Sequence, residues 1–456
     1  ATGYAGTIVA GSGQSELFFH NLTGTLGINS VIADNSGLPL NVIFSSINGS
    51  TFELFNTNTY TGTTYLNSSI LNLRNPNDAA IPGNLVITGG ANAGNDNLQY
   101  TQAVARLQYN QQVGSLLAPV DVTVRGTAFF DLNGYTQAVN NLILQQPGGS
   151  YGNIGAQVGT GVGALTILGQ ISANNVLAIA GVPTINGFIN QKGNGLAVNV
   201  AEPESMPLQI ALALNATLQN TTSLTKTGTG VLGIGGRSLT FTGPIDVNQG
   251  TLAISASGAF LGEGSAVVLN ESLVKTALDL RGIGSVTVGS GQGSAFIGSL
   301  AGTGTLTNFN PTAGATLATG LDNTNTSFTG TITNPFVGGL LSLNKLGTGT
   351  FTVGGDSIAA GGNSANLGTL NVQVGGVTLG GYGRASFSTT NVLAGATLIL
   401  DSSLVARNNR LGGAFLLGSA AVAAPVSLAG NTYSNATLNV ADSTGLFAGM
   451  TVTGPG

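Results

Sequence analysis

A chain of 456 residues with 6% charged side chains, 72 glycines, no cysteine and a net charge of −5 excludes several protein classes at once. Soluble domains ordinarily carry about a quarter charged residues, and nucleic-acid binding needs a clustered basic face that 12 scattered Lys and Arg do not build. Zero Cys removes disulfides, thiol catalysis and Cys-ligated zinc. No apolar run approaches the ~18 residues of a transmembrane helix, and 42% hydrophobic residues with low net charge argue against disorder.

Taken in chain order, short β-branched or aromatic runs alternate with Thr, Ser and Asn and are punctuated by Gly, which predicts strands throughout. The clearest are 85–87, 121–124, 142–144, 239–241, 266–269, 285–288, 370–374 and 397–400. Segment 98–117 places Val104, Leu107, Val113 and Leu116 at a spacing open to a short helix, although its QVGS reads equally as a turn. Segment 206–218 alternates Leu208, Ile210, Leu212 and Leu214 at period two and is read as strand. Strands this frequent, with so few helical stretches between them, disfavour an α/β fold.

The strands belong to a repeat. Residues 223–255 read SLTKTGTGVLGIGGRSLTFTGPIDVNQGTLAIS, and degraded copies recur as LNKLGTGTFTV at 343–353, LAGTGTLT at 300–307 and LTGTLGI at 22–28. In each, a Lys or small residue precedes a Gly-Thr turn, and an apolar/Thr alternation follows. Gly228 to Gly302 is 74 residues and Gly302 to Gly347 is 45, which suits about three and about two turns of a coil of roughly 20–25 residues. A constant strand core with loops of varying length predicts one continuous β-solenoid over 1–440. Residues 441–456 (ADSTGLFAGM onward) read as the start of a further module in a partial chain. Neither end carries a polar cap, which predicts a longer parent protein or end-to-end association.

Several of these stretches resemble the passenger-domain repeats of bacterial autotransporters, the autotransporter-associated β-strand repeat. The closest is SLTKTGTGVLGIGG with TFTGPIDVNQGTLAIS; NTYTGTTYLNSSILNL at 58–73, GTAFFDLNGYTQAVNNLIL at 126–144 and GTLAISASGAFLGEGSAVVL at 250–269 follow the same grammar. The resemblance implies a right-handed parallel β-helix displayed at the surface of a bacterium or released outside it. The family's C-terminal membrane barrel has no counterpart in these residues.

Candidate chemistry is sparse. Glu202 and Glu204, flanking Pro203, form the tight acidic pair among 17 Asp and Glu. Their setting reads as a solvated loop rather than the facing carboxylates of a glycosidase. His20 is the sole histidine, with Glu16 four residues away and no nucleophile elbow. GNDNL at 94–98 matches half of a calcium-binding nonapeptide around Asp96, without the second copy such a site shares. Gly228-Thr229-Gly230 lacks the strand–loop–helix context of a phosphate loop. Tyr60, Tyr65, Tyr100 and Tyr109 are read first as packing residues and second as a platform for sugar rings.

These residues predict no catalytic, cofactor or metal site. They point to a non-catalytic extracellular structural protein, a β-helical rod of a bacterial surface fibre, sheath or adhesin that associates with itself. The alternative is a carbohydrate-binding or polysaccharide-cleaving β-helix with an aromatic and acidic groove. Partner specificity, where present, is expected in loops at 75–83 and 186–207.

Overall fold

The computed structural model describes residues 6–35, 37–46, 49–89, 102–146, 155–175, 181–203, 209–236, 241, 243–254, 266–269, 276–279, 293–336, 338–357, 367–405, 410–411 and 414–417. Every regular element among them is a β-strand, and the strands stack in parallel register, making the chain an all-β parallel β-helix. It forms two compact units, residues 1–222 with 230–236, and residues 223–229 with 237–456. The expected strands at 285–288 and the module at 441–456 lie outside the described residues, as do residues 239 and 240 of the 239–241 strand.

In the first unit the period-two alternation read from the sequence becomes an inward row on each sheet. Phe44, Leu66, Ile87, Val124 and Leu144 stand in register on one sheet and are all fully buried. Phe52, Leu71, Ala105 and Phe130 form the facing row on a second. At the start of the stack Phe44 stacks on Phe19 at 5.2 Å and tilts against Phe52 at 5.1 Å. Each fully buried Leu, Ile or Phe contributes about 1.5–3 kcal/mol of transfer free energy.

The third side is less regular, and buried amides complete its ladder. Gln137 Oε1 accepts from the backbone amides of Gln112 (2.9 Å) and Val113 (3.1 Å), while Gln112 Oε1 accepts from Asn75 N at 3.0 Å. Asn58 receives Ile32 N at 2.7 Å and donates to Ala80 O at 2.7 Å. Each amide thus occupies the interior because it answers backbone groups that would otherwise be buried without partners.

The second unit repeats the plan with three parallel sheets. One carries Ile245–Val247, Ala266–Leu269, Ser299–Gly302, Thr326–Phe328, Thr350–Val353, Gly376–Leu379 and Thr397–Leu400. A second carries Gly250–Ile254, Thr276–Asp279, Thr305–Thr307 and Thr331–Ile332. The third runs from Gly293–Phe296 through Ala315–Thr319, Leu341–Lys345, Leu367–Val372 and Phe387–Val392 to Ala414–Leu417. An outward ladder of identical residues climbs this third sheet. Asn371 donates to Asn344 at 2.7 Å and Asn391 to Asn371 at 2.8 Å.

Coil length is broader than the expected 20–25 residues. Val122 pairs with Leu142 twenty residues on, whereas Leu85 pairs with Val122 thirty-seven residues on and Val267 with Leu300 thirty-three. The spacing of the Gly-Thr-Gly phrase is explained only in part. From Lys226 the register passes through Val247 and Leu269 to Gly302, three coils as expected. From Gly302 two coils lead through Phe328 to Val353, beyond Gly347. Gly347 lies at a different corner, after Leu341–Lys345, because the same phrase closes more than one corner of the triangle.

Three further expectations change. The segment open to a short helix contains the strand Val104–Leu107. The loop expected at 186–207 is largely the strand Phe188–Val200, bent at Lys192 (φ 52°) and Gly193 (φ 91°). The 75–83 segment is partly interior, with Ala79, Ala80 and Ile81 buried.

Gly347 (φ 66°) shows why the corners need glycine, since a Cβ there would also run into the Gly320 carbonyl. Gly395 has a similar φ of 81° with open space around its missing Cβ. Gly395→Ala should therefore cost about 1 kcal/mol for the left-handed backbone alone, and Gly347→Ala at least about twice that. Equal losses in urea unfolding would show that the collision is absorbed.

Candidate functional site

The sequence-derived candidates do not converge. His20 is exposed and its Nδ1 lies 3.0 Å from Ser45 Oγ, a neighbour in the next coil. Glu16 and Glu202 are exposed; Glu204, Asp96 and Tyr100 lie outside the described residues. Among the described residues no three His, Cys, Asp or Glu side chains gather as a metal site would require. Tyr60 is fully buried and bonds Thr64 Oγ1 at 2.5 Å, and burial pushes its phenol well above the ordinary value. Tyr65 is half-buried.

Three acidic side chains pair with arginines of adjacent coils. Glu53 meets Arg74 at 2.8 Å, Asp131 meets Arg106 at 2.7 Å, and Asp356 meets Arg384 at 2.7 Å. Desolvation raises the Asp34 carboxyl, but the amide and hydroxyl of Thr61 and the amide of Leu40 together hold it below its usual value. These are partly exposed pairs, worth about 0–1 kcal/mol each. On the outer face of one sheet Glu53, Asn72, Arg106 and Asp131 stand in a single register row beside the half-buried Phe129. At the corner that follows, Tyr109 is 43% exposed with its ring 6.3 Å from Tyr135.

The most unusual chemistry sits in the interior of the second unit. Lys226 and Lys345 are 0% and 1% exposed, although Lys is among the residues least often fully buried. Both precede the first Gly of a Gly-Thr-Gly corner by two residues, Lys345 as the last residue of its strand and Lys226 as the last but one, each with the side chain turned inward. Lys226 Nζ donates to the carbonyls of Thr227 (3.3 Å), Gly228 (2.7 Å) and Gln249 (2.8 Å). Lys345 Nζ donates to the carbonyls of Leu346 (2.5 Å), Gly347 (2.9 Å) and Val374 (3.4 Å). An ammonium has three N–H donors, and in each site three carbonyls receive them. Two come from the lysine's own corner. The third comes from the next coil, from the residue just before a glycine of positive φ, Gly250 (67°) or Gly375 (68°).

The sequence marks a Lys before the turn but gives no sign of its burial. The usable signal is that two of only four lysines in the chain share one offset from Gly-Thr-Gly. Burial drives the Lys226 ammonium down to about 7. Burial also lowers Lys345, opposed by the negative charge of Asp322.

An unfolded lysine titrates near 10.4, so between about pH 7 and 10 the unfolded chain binds more protons at Lys226 than the folded one. Stability should then rise with pH across that window. The urea midpoint of the wild type should climb relative to Lys226→Met between pH 7 and 10, and parallel profiles would show that Lys226 does not titrate there.

The chain matches no known protein family, no curated protein and no solved structure, so its functional reading rests on these residues alone.

Proposed function

We propose that the chain is a non-catalytic structural protein of the bacterial cell surface or exterior, a β-helical segment of a fibre, sheath or adhesin that associates with copies of itself. One observation carries the reading: side chains of every class are directed at the neighbouring coil. Apolar rows fill the interior, amides complete the third side, carboxylates meet arginines one coil on, and buried ammonium groups close corners. A chain organised in this way resists local opening and carries few charges to repel a parallel neighbour. Strand addition at an unpaired sheet edge is the general physical route by which such a stack extends. Analytical ultracentrifugation over a hundred-fold concentration range, with electron microscopy of the same samples, should reveal concentration-dependent filaments or lateral bundles. A monodisperse monomer at the highest concentration would reject self-association.

A second reading, carbohydrate binding, is favoured by the exposed Tyr109 beside Tyr135, since a tyrosine offers an apolar face and a polar tip to a sugar ring. Glycan-array binding reduced at least ten-fold by Tyr109→Ala with Tyr135→Ala would establish it, and a wild type that retains no glycan would remove it.

A further inference from the structure

We infer that Lys226 and Lys345 are register-setting residues, interior ammonium clamps that admit one alignment between their own coil and the next. The backbone ladder alone cannot select that alignment. Parallel strands offer the same amide and carbonyl pattern at every two-residue step, and the inward positions next to these lysines are aliphatic. Lys226 stands in register with Val247 and then Leu269, and Lys345 with Val372 and then Val392. A Val or Leu fits any rung of such a column. An amine that must place its N–H groups on particular carbonyls does not.

In the native alignment Lys226 Nζ meets the Gln249 carbonyl at 2.8 Å, and Gln249 Oε1 in return accepts from Gly228 N at 3.2 Å. A two-residue slip displaces that partner by roughly 6–7 Å, leaving a buried ammonium short of an acceptor. A one-residue slip turns the inward set outward. Breaking a buried ionic contact is strongly unfavourable, whereas replacing the whole arrangement by a well-packed apolar side chain is commonly neutral. A buried charge can therefore specify an arrangement without adding stability to it.

The chain supplies its own comparison. At the Gly302 corner the same offset in the phrase holds Leu300, which the register stacks over Leu224, whereas Gly302 itself continues the Lys226 column. There the Gly302 carbonyl accepts from Thr329 N at 2.8 Å, so the ordinary ladder supplies the donor. The same column thus closes a corner without an ammonium three coils on, and what that corner lacks is a side-chain link to a particular residue of the next coil.

The absence of cysteine allows register to be read directly by disulfide trapping. Thr225 and Asp246 are half-exposed register partners beside the clamp, and Asn248 lies two residues beyond the native partner. In the full chain, Cys at 225 and 246 reports the native alignment, and Cys at 225 and 248 reports a two-residue slip. With Lys226 present the slipped pair should crosslink at a few per cent of the native pair. In Lys226→Leu it should rise at least five-fold, with the urea midpoint at pH 7 changed little. An unchanged crosslink ratio overturns the inference. Lys226→Met and Lys345→Leu, the latter with Cys at 344 and 371 against 344 and 373, repeat the test at a second filler and a second corner. Failure of all three variants to fold would assign the lysines to stability and overturn it as well.

Discussion

Everything in this structure depends on how the chain satisfies its backbone at the corners. Between corners the parallel ladder settles the matter, because alternate residues of each strand donate to and accept from the coils on its two sides. At a corner the peptide groups rotate out of that ladder, and some point into the apolar interior, where they need partners from the protein. A buried carbonyl left unpaired costs about 1–3 kcal/mol, and a stack of coils meets the problem at every turn. The composition of the sequence follows from its answers.

Three answers recur. A glycine of positive φ, as at Gly302, lets the corner carbonyl find the next coil's amide. A buried amide, as at Gln112 and Gln137, both accepts and donates, and so repairs a side where strands are too short to pair fully. An ammonium, as at Lys226 and Lys345, answers three carbonyls at once. Those answers differ in what they demand of the neighbouring coil. Glycine demands a backbone amide, which every coil has. The amide demands a peptide group at one height. Lysine demands a carbonyl of the next coil turned inward at one place, which in both sites is supplied by the residue before a left-handed glycine.

This ordering explains what was legible in the sequence. The fold class was readable because apolar and small polar residues alternate with period two between glycines, and that alternation is the physical cause of the inward rows such as Phe44 to Leu144. The corner glycines were readable too, since Gly228 and Gly347 sit where the alternation breaks. Coil length was not, because insertions leave the stack without disturbing the strand pattern on either side. The turn phrase at Gly347 was mistaken for the same corner as Gly302, since a corner's chemistry does not record which corner it closes. The strand at 188–200 was hidden by Lys192, Gly193, Asn194 and Gly195, polar and flexible residues that mimic a loop yet only bend the strand. The lysine clamps were hidden by their own polarity. A Lys beside Gly reads as a solvated turn, and only the position of Gln249 or Val374 in the next coil reveals that acceptors face inward.

The elastic coil length and the buried lysines are two sides of one problem. When successive coils differ between 20 and 37 residues, counting along the chain cannot tell a strand which rung to take. Repeats of fixed length align by geometry, whereas repeats of variable length need side chains that recognise one another. Rows of Val, Leu and Thr give cohesion but little recognition, because each fits against any other. Recognition has to come from groups that are penalised when misplaced, and the least tolerant of these is a desolvated charge. Sparse lysines in a chain with few charges are therefore consistent with a demand for specificity, met at a few coils and left to apolar packing at the rest.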